Sequence, residues 1–141
     1  MTLDTGADLE RERTVVVVDD EPLVRGLMIR GLEGAGFRVF GAGDGRAGFE
    51  LVVAVEPDVV VTDLLMPVVD GWELAMMMRQ HYPAIPMLFV SAVADEKAAG
   101  LPGECLVKPV LPQDLATRVR RMVETVEGVE ESRGSRDSQA R

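Results

Sequence analysis

Positive charge, histidine, cysteine and long apolar stretches are all scarce in this chain, and each scarcity closes off a class of function. Fifteen Lys and Arg residues stand against 24 Asp and Glu, a formal net charge of -9 over 141 residues. A phosphate backbone is held by a basic face, so the chain is not expected to bind nucleic acid itself. Cys105 is the single cysteine, which excludes an intramolecular disulfide and any multi-cysteine zinc site. It lies within an apolar run and reads as a small buried hydrophobe rather than a reactive thiol. The single histidine, His81, stands beside Tyr82 and Pro83. It is expected to cap or follow a helix, and nothing around it supports catalysis. Residues 1–13 are charged and lack an apolar core, so no signal peptide is expected there. No stretch approaches the roughly 20 apolar residues of a membrane helix. The expectation is a cytoplasmic domain of ordinary size, with no membrane partner.

What the chain does have is a set of short apolar runs, each ending in a residue that can handle a phosphoryl group. Val15–Val18 runs into Asp19 and Asp20; Val59–Val61 runs through Thr62 into Asp63; Met87–Val90 ends in Ser91; Cys105–Val107 runs into Lys108 and Pro109. Runs of this length bounded by breakers are what fully buried parallel strands look like. Phe37–Ala42 supplies a further strand. Helix-like segments alternate with these runs. Pro22 stands at a first helical position with Asp20 as its expected N-cap, and Leu23, Val24, Leu27, Met28 and Leu32 follow at helical spacing. Asp44 is placed to cap a second helix that Glu56 and Pro57 stop. A third runs from about Gly71 to Gln80, with Trp72, Leu74, Ala75 and Met78 on one face and the Met76–Met78 run read as core. Only about residues 95–99 are free to form a fourth, shortened helix. The last begins near Leu111 and Pro112, with Leu115, Val119, Met122 and Val123 on one side.

Five alternating units imply an α/β fold: a five-stranded parallel sheet, flavodoxin-like, in strand order 2-1-3-4-5, with helices on both faces. Residues 1–13 read as a flexible arm, 14–127 as the folded domain and 128–141 as a disordered polar tail.

In open α/β sheets, ligand chemistry collects beyond the carboxyl ends of the strands. Asp19, Asp20 and Asp63 are expected to crowd there, and like charges that close call for a cation. Magnesium suits them, since it prefers oxygen and keeps several waters. Lys108 brings a compact positive charge for a phosphoryl oxygen or a carboxylate. Its bond to Pro109 can be cis at modest cost, and a cis bond would aim the lysine back into the site. Ser91 can donate to a bound phosphate.

The segments VVVVDDEP (15–22), DVVVTDLLMPVVDG (58–71), Ser91-Ala92 and LVKP (106–109) together resemble the receiver (response-regulator) domain of two-component phosphotransfer systems. The resemblance covers about Arg13 to Thr125. It implies that Asp63 accepts a phosphoryl group from a phosphohistidine on a sensor histidine kinase or a histidine phosphotransfer protein. Asp20, the Asp63 carboxylate and the Leu65 backbone carbonyl would bind Mg²⁺, with Asp19 acting through a metal-bound water. Lys108 and Ser91 would contact the phosphoryl group, and Leu23, Val24 and Leu27 would dock partners. Leu65 and Val93 would flank the site and, being apolar, hinder an attacking water. Two positions depart from the family's pattern. Cys105 stands where an aromatic switch residue is usual, and the stretch between Ser91 and Lys108 is short. A monomer or weak dimer, with no dimerisation through the fourth helix, is therefore expected. The sequence shows no second domain after the last helix, so a free-standing relay, phosphate sink or target-binding role is expected.

Three other readings compete. Gly43-Asp44-Gly45-Arg46-Ala47-Gly48 fits G-x-G-x-x-G after a strand, as a nucleotide-binding fingerprint does, but leaves the acid pair and Lys108 unexplained. An aspartyl phosphatase wants a general acid two residues past its nucleophile, where this chain has Leu65. A receiver-like protein-binding module that is never phosphorylated would not need its acids and lysine.

Overall fold

A computed structural model describes residues 12–92 and 100–125. Its strands are β1 (Thr14–Val18), β2 (Arg38–Ala42), β3 (Val59–Asp63), β4 (Met87–Ser91) and β5 (Gly103–Val107). They form one sheet in the order β2-β1-β3-β4-β5, with every neighbouring pair parallel. The described helices are α1 (Pro22–Gly34), α2 (Gly45–Val55), α3 (Gly71–His81) and α4 (112–125). The shortened helix expected at 95–99 lies outside the described residues, as do Val93, nearly all of the arm and the whole of the tail.

The valine-rich strands are buried on both faces because side chains alternate along a strand and each face is covered. Val15 and Val17 point into a cluster with Met28 and Leu32 of α1 and Leu115 and Val119 of α4. Val16 and Val18 point the other way, into a cluster with Val52 of α2 and Leu74, Ala75 and Met78 of α3. The strands β3 and β4 are wholly buried. This arrangement sends the carboxyl ends of β1, β3, β4 and β5 to one edge of the sheet.

Several local expectations need correcting. Asp20 does not cap α1. The N-cap is Glu21, which makes no side-chain capping bond, while the Asp19 carboxylate accepts the Glu21 N–H at 2.9 Å. Asp19 thus holds the amide of the cap residue, and no side chain caps the helix itself. Met76 is 70% exposed, so only Met78 of the Met76–Met78 run is fully core. The run Cys105–Val107 is not a fully buried strand: β5 sits at the sheet edge, Cys105 is half-buried and Val107 is exposed. Burial of an apolar run depends on its place in the sheet, which its own residues do not state. His81 closes α3 and packs edge-on against Phe49, with ring centroids 5.8 Å apart.

The loop between β3 and α3 holds an unusual backbone. Val68 has φ 67°, a left-handed conformation that strongly disfavours a β-branched residue, and its side chain is largely exposed. Val68→Gly is expected to stabilise the fold by about 0.5–1 kcal/mol, because relief of a strain of about 1–2 kcal/mol exceeds the unfolded-state entropy that glycine adds. Urea denaturation checks this, and a lower midpoint for the variant would contradict it.

Candidate phosphoryl-transfer site

Asp63 is the last residue of β3, 7% exposed, and reaches the sheet edge because Val59–Thr62 are anchored in the core. Its Oδ1 accepts the Leu65 N–H at 3.3 Å and its Oδ2 accepts the Lys108 ammonium at 3.0 Å. Its backbone carbonyl is held by the buried Thr62 hydroxyl at 2.8 Å. Asp19 follows β1 directly and is fully buried. Its Oδ1 accepts the Glu21 N–H and its Oδ2 accepts Lys108 Nζ at 2.9 Å. Lys108 thus joins two carboxylates from different strands.

Burial pulls the lysine toward losing its proton. The hydrogen bonds to Asp19 and Asp63 and the charges of both more than reverse that pull, leaving its pKa above the ordinary lysine value. The Lys108 N–H donates to the Ser91 carbonyl at 2.7 Å, so the ends of β4 and β5 are tied together where Ser91 lies buried. The Lys108-Pro109 peptide bond is cis.

Asp19, Asp20 and Asp63 each offer a carboxylate oxygen, and these lie within 4.8 Å of one another. Three carboxylates against one ammonium leave an excess of negative charge. Oxygen donors alone, close together and partly open through the exposed Asp20, could hold a hard divalent cation. Both Asp19 oxygens already have protein donors, whereas Asp20 is turned to solvent, which favours Asp20 over Asp19 as a direct ligand.

The other candidates fall around this centre. Leu65 is 65% exposed at its mouth, with only its amide turned back onto Asp63. Leu23 is exposed on α1, while Val24 and Leu27 line an apolar groove of about 350 Å³ that reaches Lys108 and Pro109. Cys105 faces the second core cluster opposite Phe89. Burial, and then the charge of Asp63, raise its thiol above the ordinary range, so it remains a protonated thiol at neutral pH.

The G-x-G-x-x-G segment is accounted for by packing. The Asp44 carboxylate caps α2 by accepting the Ala47 N–H, and the Gly45 N–H donates to the Val69 carbonyl. A Cβ on Gly45 would stand 2.4 Å from that carbonyl, and one on Gly48 would strike Val18. Gly45 thus lets the loop after Asp63 close on the start of α2, and Gly48 lets α2 pack down on β1.

Two contributors escape a sequence reading. Gly71 opens α3 where a Cβ would lie 2.2 Å from the Asp63 carbonyl oxygen, and its N–H donates to the Leu64 carbonyl. An Asp-Gly pair at a helix start signals only a cap. Arg25 of α1 bonds the Asp19 backbone carbonyl, and no periodicity marks it.

Comparison with known proteins agrees with this geometry. The family model for the response regulator receiver domain matches residues 15–120. The chain is 35% identical over 129 residues to the sensor kinase CckA of Brucella abortus, covering 86% of this chain and 14% of that protein. It is 34% identical over 114 residues to the response regulator MprA of Mycolicibacterium vanbaalenii, covering 77% of this chain and 49% of that protein. It thus spans about half the length of that regulator and a small part of the kinase. The chemotaxis response regulator CheY4 of Vibrio cholerae superimposes with a TM-score of 0.73 at 27% identity, covering 79% of this chain and 98% of that one. With buried acids at the ends of β1 and β3 sharing a lysine from the end of β5, and with these likenesses, the chain belongs to the response regulator receiver domains, the phosphoacceptor modules of two-component signalling.

Proposed function

We propose that Asp63 is the phosphoacceptor and that residues 14–127 form a receiver acting on a phosphohistidine donor in the cytoplasm. The single observation that carries this reading is the Lys108 ammonium shared between Asp63 and Asp19 beside the open carboxylate of Asp20. An Asp63 oxygen attacks the donor phosphorus, the phosphorus–nitrogen bond breaks, and the electron pair leaves with the imidazole. The product is an acyl phosphate on Asp63. Asp20, Asp63 and the Leu65 carbonyl would hold Mg²⁺, with Asp19 acting through a bound water; the ion supplies charge neutralisation on the transferring group. Lys108 steadies a phosphoryl oxygen and Ser91 turns its hydroxyl toward another. The added negative charge then shifts the loops after Asp63 and Ser91. The domain supplies the positioning for its own phosphorylation and dephosphorylation. The sensor kinase or phosphotransfer protein would dock along Leu23, Val24 and Leu27, whose groove opens beside Lys108.

Acetyl phosphate with Mg²⁺ is expected to add one phosphoryl group to the intact protein, read by mass spectrometry. None should be added with Asp63→Asn or without the metal. Uptake by the Asn variant equal to the parent would overturn the assignment.

Leu65 shields the bond formed on Asp63 from water because its side chain is apolar and sits at the mouth. Leu65→Asn, which can orient a water, is expected to shorten the phosphoryl lifetime by about tenfold, in the lower range of general-base and positioning effects. Decay rates measured after removal of the donor test this, and equal rates would remove the shielding role.

A further inference from the structure

Every polar atom of Asp19 has a partner, and one of those partners is a charged side chain outside the acid–lysine centre. The Asp19 N–H donates to the Ala42 carbonyl at 3.0 Å, Oδ1 accepts from Glu21 and Oδ2 from Lys108. The remaining atom, the backbone carbonyl, accepts from Arg25 Nη1 at 2.7 Å. This contact occurs at the joint between β1 and the loop that carries Asp20. Arg25 sits in the first turn of α1, where its own N–H donates to the Glu21 carbonyl. Its side chain runs back across the end of β2.

The route is shaped to this residue. A Cβ on Gly41 would stand 3.4 Å from Arg25 Cδ, besides meeting Ile29, and one on Gly43 would stand 3.3 Å from Nη1 with nothing else within 4 Å. Two positions without side chains flank the path of one guanidinium. A charged donor on a carbonyl makes a hydrogen bond stronger than a neutral one.

We propose that Arg25 is a positioning residue for the cation site: by fixing the Asp19 carbonyl it sets the direction in which the chain leaves β1, and so aims the Asp20 carboxylate at Asp63. The inference rests on the Mg²⁺ reading given above. Positioning and simple charge make opposite predictions. As a charge alone, Arg25 repels a cation, so its removal would tighten Mg²⁺ binding. As a clamp, its removal loosens the ligand set and weakens binding.

The test is calorimetric titration of the full chain with Mg²⁺, together with amide exchange of the metal-free protein. Arg25→Met is expected to weaken Mg²⁺ binding by about five- to tenfold and to speed exchange of the Glu21 amide by about tenfold, the scale of one charge-assisted hydrogen bond. Arg25→Lys, which keeps the charge without the planar fork, is expected to fall between it and the parent. Gly43→Ala approaches the same contact from the other side. It should weaken Mg²⁺ binding less, and its effect should vanish in the Arg25→Met background. When the parent binds Mg²⁺, unchanged or tighter binding by Arg25→Met overturns the proposal. A parent that binds no Mg²⁺ overturns the cation site itself, and with it the aim of Asp20, leaving Glu21 exchange to report only on the loop. Should Arg25→Met not fold, the Arg25→Lys and Gly43→Ala titrations decide in the same way.

Discussion

Lys108→Met is expected to destabilise the metal-free protein at neutral pH by about 2–3 kcal/mol, near the lower end of what removing one partner from a buried ion pair costs. Asp19 is fully buried and the Asp63 side chain is 9% exposed, while the lysine that serves both is 17% exposed. Methionine fills much of the lysine's volume, so the loss comes mainly from two carboxylates left without their cation. Two consequences separate this cause from lost packing. Mg²⁺ recovers part of the deficit. At alkaline pH the parent approaches the variant: a lysine whose folded pKa is raised contributes stability that is fully present below its ordinary pKa and is lost as pH rises through the higher folded value. Urea denaturation across pH, with and without Mg²⁺, measures both. A variant as stable as the parent at neutral pH without metal would contradict the shared-lysine account.

Gly71→Ala is expected to be as costly, for a different reason. The added methyl would meet the Asp63 carbonyl oxygen at 2.2 Å and the Leu64 Cα at 2.7 Å, both backbone atoms that no rotamer change can move aside. Overpacking of this kind costs about 2–3 kcal/mol. The nearer of these atoms belongs to Asp63, the proposed acceptor, so phosphoryl uptake should slow by about a hundredfold, the effect of roughly 1 Å of misplacement. Gly26→Ala is the control. It lies within α1 with nothing within 4 Å of its added Cβ, and there alanine should stabilise by about 0.5–1 kcal/mol. Thermal melts and single-turnover uptake from acetyl phosphate test the pair. If Gly71→Ala behaves like Gly26→Ala, the close approach at the start of α3 plays no part in placing Asp63.

The architecture was legible because the strands announce themselves. Val15–Val18 and Val59–Val61 are short, β-branched and bounded by acids, and in a parallel sheet such strands must end on one side. That places Asp19, Asp20 and Asp63 together before any coordinate is known. Lys108 was legible for the same reason, as the residue that ends a further apolar run. Other features depend on tertiary neighbours that a local pattern does not carry. The order 2-1-3-4-5 already puts the last strand at an edge, yet the apolar run Cys105–Val107 by itself reads as fully buried, and the edge position decides. Asp20 stands where a cap is expected, yet the direction of the chain after Val18 makes Glu21 the N-cap and gives its amide to Asp19. Met76 and Met78 differ in exposure only through the way α3 lies on the sheet. Arg25 looks like any solvated arginine on a helix until the path beside Gly41 and Gly43 is seen. The G-x-G-x-x-G segment shows the converse: a recognisable pattern in which Gly45 makes room for the Val69 backbone and Gly48 for the Val18 side chain.

The most direct measurement is a structure of the protein soaked with beryllofluoride and Mg²⁺, which mimics the acyl phosphate. The adduct is predicted on the Asp63 carboxylate, with Lys108 Nζ and the Ser91 hydroxyl on its fluorides and Asp20 on the metal. An adduct on any other carboxylate, or none at saturating reagent, would contradict the account.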